Sequence, residues 1–257
     1  MTMEIVGRGF LARNLRPIAD RHPRTVVLAA GVSCAHGTSA HDFAREADLL
    51  RETADRCRAT GSRLVFFSTA ATGMYGGVAG LGREDGAVVP CTPYGAHKFG
   101  LERRLRESGA EHLILRLGHL VGARAPAHQL VPALLRQLAR GVVRVERGAA
   151  RDLIDVTDTV TVVDRLLERG VHGETVNVVS GHAVPVSDIV DHLEERLGLS
   201  ARREYYGEGR QYGVSVEKLT RLVPETALLG FSPTYYRQVL DACLDPLRCP
   251  AALPAAS

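Results

Sequence analysis

The stretch "EIVGRGFLARNL", Glu4 to Leu15, decides how the chain folds. Met3–Val6 reads as a strand, and Gly7, Gly9 and Ala12 follow it at once in the spacing G-x-G-x-x-A. Leu11–Arg21 then carries a helical pattern. Each residue type has its own reason. Gly7 permits the tight turn out of the strand, Gly9 lets backbone approach a pyrophosphate, and Ala12 lets helix pack closely on strand. The N-terminus of the helix then faces the anion. The plainer alternative is a tight strand-to-helix turn that holds no ligand.

Past the helix comes "ADRHPRTVVLAAGVS", Ala19 to Ser33, where an expected part is missing. A complete dinucleotide-binding half runs on into a second strand ending in Asp or Glu, which holds a ribose, and then into a third. Here Thr25–Ala29 is apolar, ends in small residues and leads to a long helix, Asp42–Thr60. It behaves as the strand beyond the point where the winding reverses. The expectation is a sheet shortened on the side of its second and third strands, with less wall for an adenosine.

The remaining strands, Arg63–Ser68, His112–Arg116 and Glu174–Val179, alternate with helices at Pro93–Ser108 and Leu130–Arg140. That alternation argues for an α/β chain with a doubly wound parallel sheet. Further on, "VTDTVTVVDRLLERG" and "VPVSDIVDHLEERLGLS" read as helices, with Ser187 as N-cap of the second. Residues 1–155 form the expected core, and 156–247 a mixed part with a small C-terminal substrate lobe and returning sheet elements. The Pro/Ala tail 248–257 is expected to be disordered.

With 257 residues, 45% of them hydrophobic, the chain can bury one large core, or a core and a small lobe. A net charge of +3 with scattered Arg gives no nucleic-acid or membrane-surface signal. No 18-residue apolar run occurs, so no membrane span is expected. The five Cys form no C-x-x-C pair, which fits a reduced, cytoplasmic protein. His36 and His41 flank the segment after the second strand, but no metal-ligand spacing is present and no metal is expected.

Two segments carry chemistry. "RLVFFSTAATGMYG" is a buried strand ending in Ser68–Thr69, and "CTPYGAHKFGLERRL" sets Tyr94 and Lys98 four apart at the start of a helix, on one face. An ammonium beside a phenol lowers a pKa that is ordinarily about 10, and so lets the tyrosine exchange a proton near neutrality. Solvated helix faces produce the same spacing by chance.

Taken in order, "GRGFLA", "VFFSTA", "MYG", "PYGAHK", "LRLGHLVG", "RDLIDVTD" and "ETVNVVSG" resemble the extended short-chain dehydrogenases/reductases. This is the NAD-dependent epimerase/dehydratase group, which mostly handles nucleotide sugars. The resemblance runs to about "LLGFSPTYYRQVL". It implies a Rossmann-like fold in which Tyr94 is the acid/base and Lys98 its pKa-lowering, ribose-holding partner. Thr69, 25 residues before Tyr94, is the hydroxyl that polarises the substrate oxygen. The long loop after Thr69 keeps Ser68 and Thr72 as rivals, and as substrate-binding residues. The resemblance also implies that Gly7, Gly9, Phe10, Leu11, Ala30 and Lys98 surround NADP or NAD, a cofactor that the shortened adenosine side equally allows to have been lost. Arg8 and the missing carboxylate favour NADPH.

Arg116, His119 and Arg151 fall on segments that line substrate and phosphates in the family, with Arg151–Asp152 either a ligand pair or an ion pair fixing the lobe. His119 replaces a frequent Asn, and His97 a usual Ser or Thr. Ala70 and Ala71 stand where dehydratases carry an acidic pair, which disfavours loss of water. "REYYGEGRQYG", with Tyr205, Tyr206, Arg210 and Tyr212, is a lid loop or a surface hairpin. The implied activity is reduction or epimerisation at a keto or hydroxyl carbon of a nucleotide-sugar or similar polar metabolite. The implied assembly is a homodimer through the helix bearing Tyr94 and the long helix before Arg63. A non-redox enzyme without a dinucleotide, and a non-catalytic binding or sensing homologue, remain as alternatives.

Overall fold

Strands β1 (Glu4–Val6) and β2 (Thr25–Leu28) pair directly and in parallel, with Ile5 opposite Val27. This is seen in a computed structural model of the chain, which describes residues 2–33, 38–76 and 80–245. His36, which lies in 34–37, and the tail 248–257 fall outside the described residues. Beyond β2 come β3 (Arg63–Thr69), a two-residue β4 (Leu81–Gly82), β5 (His112–Leu117), β6 (His119–Val121), β7 (Val142–Glu146), β8 (Ala150–Asp155) and β9 (Glu174–Val178). The main sheet is wholly parallel in the order β1-β2-β3-β5-β9. No strand stands outside β1 among the described residues, so the sheet is shortened where the sequence reading expects it.

The chain leaves β1 through α1 (Phe10–Leu15), which tightens into a 3-10 segment, Arg16–Arg21. The helical pattern predicts one helix to Arg21. Pro17 accounts for the change, because its ring would clash with the carbonyl four residues back in an α-helix. After β2 comes α2 (Ala40–Thr60), opened by a capping box between Ser39 and Asp42 and closed by Gly61 in the left-handed conformation.

Alternation along β2 divides the two faces of the sheet. Val27 packs with Leu15, Ile18, Val163 and Leu166 on one side, and Val26 and Leu28 pack with Leu50, Ala54 and Leu101 on the other. Thus α1 lies on the face of α6 (Val156–Glu168), and α2 on the opposite face with α4 (Pro93–Glu107). Along the chain α3 (Thr72–Tyr75) precedes α4, and α5 (Leu130–Leu138) follows β6. The crossovers β1-α1-β2 and β2-α2-β3 advance in the same direction across the sheet over opposite faces. They are therefore of opposite hand, and one belongs to the left-handed kind that parallel units nearly always avoid. Two contacts tie α1's crossover down. His22 Nε2 lies 2.7 Å from Asp164 Oδ1 on α6, and Arg21 pairs with the same carboxylate.

A second core surrounds the lobe. Leu134, Leu138, Val143 and Val145 pack with Ile189 and Leu193 of α7 (Val186–Leu197). Val239 and Leu240 join them from the last helix, which follows α8 (Glu217–Leu222) and is α9 (Tyr235–Leu244). The small sheets here are β10 (Ala183–Pro185) with β8 and β6, β11 (Arg202–Tyr206) with β7, and β12 (Gly213–Val214) with β4. Because β10 runs straight into α7, Pro185 occupies the N-cap and the Ser187 hydroxyl bonds Asp188 instead, which corrects the expected cap. No helix among the described residues is long and apolar enough to cross a membrane.

Candidate active site

The carboxyl edge of β3 and the first turns of α4 meet where the sequence reading puts the chemistry. Thr92 caps α4 by accepting the N–H of Gly95 at 3.0 Å. A Cβ on Gly95 would lie 2.0 Å from the Gly73 carbonyl oxygen, so only glycine lets α4 start this close to α3. That contact holds Tyr94, which is partly buried, on the first turn, and Lys98 one turn deeper. The Lys98 ammonium lies 5.8 Å from the centre of the Tyr94 ring, 5.2 Å from that of Phe66, and 3.3 Å from the Phe67 carbonyl oxygen, to which it donates.

Beneath them stands a residue the sequence reading passed over. Glu46 of α2, only 2% exposed at its side chain, accepts from Lys98 Nζ at 2.6 Å on one oxygen and meets His97 Nε2 at 2.9 Å on the other. Burial alone would push this carboxyl up. The His97 hydrogen bond and the Lys98 charge outweigh it and hold the carboxyl below its ordinary value. His97 also stacks on Phe43, ring centres 4.4 Å apart. A Cβ on Gly31 would sit 2.1 Å from the same Glu46 oxygen, so the end of β2 is moulded around the pair. One signal was available: Glu46 lies on α2's buried stripe with Leu50, Thr53, Ala54 and Cys57, at helical spacing.

The hydroxyls differ in their surroundings. Ser68 is buried with no partner for its Oγ, and alternation places it with Leu64 and Phe66 on the face of α2 and α4. Thr69, the last residue of β3, shares the other face with Val65 and Phe67. It accepts the Ala71 N–H at 3.1 Å, which leaves its own hydrogen to donate. Thr72 begins α3, and its side chain lies outside what is described.

The glycine turn keeps its geometry. Gly7 has φ +139°, and a Cβ there would sit 2.6 Å from the Ala29 carbonyl oxygen, whereas a Cβ on Gly9 would meet nothing within 4 Å. Phe10 is buried and Leu11 packs on the core, so only the backbone of these two residues faces outward from the start of α1. Ala30 is exposed and lines a cleft of about 640 Å³ with Val32, Asp42, Arg45, Glu46 and Leu49. A dinucleotide's pyrophosphate fits the open turn at Gly9. Its adenosine would have the face of α2 in place of the missing strands.

Two arginine expectations change. Arg116 is 1% exposed and belongs to a structural network. It makes a two-pronged pair with Glu102 of α4 at 2.9 and 2.7 Å and bonds the Tyr75 hydroxyl, which reaches Asn177. It is thus no substrate ligand. Arg151 pairs with Glu146 at 3.1 Å and not with Asp152, because neighbours on β8 point to opposite faces. Asp152 is buried and accepts from Ser180 and Gly181. His119 and Arg151 do come together. Burial, then the Arg151 charge, push the His119 ring down to about 3, and its Nδ1 has no partner. The expected lid is no single loop. Tyr205 and Tyr206 lie exposed on β11, Tyr212 is buried beside Met74 and Tyr75, and Arg210 reaches the Gly76 carbonyl oxygen at 3.1 Å.

Comparison with known proteins gives a consistent picture. The model of the NAD dependent epimerase/dehydratase family matches residues 12–179. The low-salt glycan biosynthesis protein Agl12 of Haloferax volcanii is 27% identical over 175 residues, covering 63% of this chain and 54% of that protein. The chain thus spans about half the length of that relative. Among solved structures, RMD from Pseudomonas aeruginosa complexed with NADPH superposes with a TM-score of 0.76 at 21% identity, covering 94% of this chain and 98% of that one. MoeE5 in complex with UDP-glucose and NAD gives 0.75 at 21%, covering 94% and 96%. At such identities the likeness speaks for the fold, which is Rossmann-like.

Proposed function

We propose that this chain, which belongs to the NAD-dependent epimerase/dehydratase family, is an enzyme that reduces a keto group, or epimerises through one, on a nucleotide-activated sugar or similar polar metabolite. The observation that carries the reading is the placement of Tyr94 over the Lys98 ammonium, 5.8 Å from ring centre to nitrogen, at the carboxyl edge of the sheet where doubly wound folds bind ligands. Tyr94 gives its hydroxyl proton to the substrate oxygen. Thr69, whose hydroxyl hydrogen is left to donate, steadies that oxygen at the strand's end, with Ser68, on the α4 face, as the alternative donor. Arg151 and His119, the latter uncharged across the neutral range, are the side chains of the small sheet assigned to the substrate. Ala70 and Ala71, following Thr69, offer no acid or base for eliminating water.

The NADPH and NAD in the neighbours' structures support a nicotinamide dinucleotide here, and the open turn at Gly9 supports its pyrophosphate. When bound, it supplies the hydride. Gly7, Gly9, the backbone of Phe10 and Leu11, Ala30 and one remaining N–H of Lys98 would hold it. A second reading, a non-redox enzyme with the same Thr69, Tyr94 and Lys98, is favoured by one observation: among the described residues no strand beyond β1 walls the adenosine side.

Calorimetry with NADPH and NADH separately, and turnover on a panel of nucleotide-ketosugars, divides the readings. Expected are saturable binding of one dinucleotide, kept in Tyr94→Phe, and turnover lowered about 100-fold or more in that variant. Activity without binding of either dinucleotide would establish the non-redox enzyme instead.

A further inference from the structure

The rim of the glycine turn gathers arginines. Arg8 stands between Gly7 and Gly9, Arg13 lies on α1, and Arg124 follows β6. Arg13 draws the other two together. Its Nη1 donates to the Arg8 carbonyl oxygen and its Nη2 to that of Arg124, both at 3.4 Å. All three residues are exposed, and among the described residues none has a carboxylate partner.

The carboxylates of β1 and of the first turn of α6 are already taken. Glu4 is clasped by Arg56, Asp155 caps α6, and Asp158 accepts the Tyr235 hydroxyl. Like charges gathered without a counter-ion repel one another, and an anionic ligand relieves that repulsion.

A dinucleotide offers two places where an anion can sit. Its pyrophosphate is received by the open main chain at Gly9, where no side chain intrudes. The 2′ position of its adenosine lies, in a complete dinucleotide-binding half, over the end of the strand outside β1, where a carboxylate holds the hydroxyl. Among the described residues no such strand exists. Nothing from one therefore accepts a 2′-hydroxyl or repels a 2′-phosphate, and the charges left at the end of β1 are guanidiniums. The wall across the cleft has the other sign, since Asp42, Asp48 and Glu52 of α2 outnumber Arg45. A phosphate is repelled there and drawn to the arginines.

We propose that Arg8, Arg13 and Arg124 read the 2′-phosphate of the adenosine, so that the cofactor of this chain is the phosphorylated dinucleotide. The inference rests on the reading that the glycine turn holds a dinucleotide, and it names which one. Guanidinium suits the task, because its planar fork meets phosphate oxygens in pairs and keeps its charge at any working pH. Arg8 and Arg124 supply donors that have no partner among the described residues, and Arg13 ties the two segments together while adding its own charge.

Calorimetry of the intact chain with NADPH and with NADH tests this without a substrate. NADPH is expected to bind about 10- to 100-fold more tightly than NADH. Arg8→Ala is expected to bring NADPH to within about threefold of NADH, with NADH itself nearly unmoved. Arg124→Ala should weaken NADPH selectively by a smaller factor, and Arg16→Ala, an exposed arginine outside the cluster, should change neither. Binding of NADH as tight as that of NADPH, or tighter, in wild type overturns the proposal, even should a variant fail to fold. So does an Arg8→Ala variant that weakens NADH as much as NADPH, since the arginines would then serve the pyrophosphate. An Arg16→Ala loss as large as that of Arg8→Ala overturns it too, by making the effect one of net charge. Failure of the parent reading looks different: wild type would bind neither dinucleotide, and the proposal would fall with it.

Discussion

His119 shows how one side chain sets a property of the whole. Its ring, held down to about 3 by burial and then by Arg151, stays neutral in the folded chain, whereas an unfolded chain takes up the proton near 6.5. Between those values the unfolded state binds more protons, so stability is full above about pH 6.5 and is lost as pH falls toward 3. His22, lowered by burial first and by Arg21 next, acts in the same direction. Thermal melts between about pH 7 and 5 should therefore show a falling midpoint, with a shallower slope in His119→Gln. An unchanged slope would mean that the His119 ring is protonated in the fold. Glu46 teaches a different lesson about single residues. Its position on an apolar stripe was visible in the sequence, but which cation it meets depends on α4, some fifty positions away and adjacent only after folding.

Between elements, close backbone approach does what side chains cannot. The Gly73–Gly95 contact brings α3 against the first turn of α4, and the atom that a new methyl would strike is a carbonyl oxygen of the main chain, which cannot swing aside. Gly95→Ala is expected to destabilise the fold by about 3 kcal/mol, measured by urea unfolding, and to displace Tyr94. A cost below about 1 kcal/mol would show that α4 slides without penalty. The same scale decides what could be read in advance. The main strands are buried on both faces, as parallel strands under helices are, and so were legible as continuous apolar runs. The turn with Gly7 and Gly9 and the pair Tyr94 and Lys98 were legible because local spacing defines them. Two- and three-residue strands such as β4, β10 and β12 carry no period to detect. Pro17's conversion of half a helix to a 3-10 turn was legible but outweighed by the apolar pattern around it. Arg116 was read as a ligand because its true partner, Glu102, lies on another element.

Across the whole molecule, charge and the shortened sheet set what can assemble. The outer face of α2 presents Arg51, Glu52, Asp55 and Arg58, each more than half exposed, and α4 adds Arg103, Arg104 and Glu107. Pairing two copies through these helices, as the family resemblance implies, would bury charges rather than apolar surface. Light scattering at micromolar concentration is therefore expected to give the mass of one chain, 27.7 kDa, and twice that mass would show that the charged faces pair. The open edge at β1 is only three residues long and carries Glu4, clasped by Arg56 at 2.8 and 2.9 Å, which discourages strand addition. Its crossover, opposite in hand to the next, is pinned to Asp164 on α6. That arrangement has a consequence for a polypeptide emerging from a ribosome. The glycine turn is translated well before the helix that pins its crossover, so that crossover must wait unpinned while the strands between are built. The β1–α1 crossover is then among the last features to be secured, and a nascent chain arrested before α6 would lack the carboxylate that pins it.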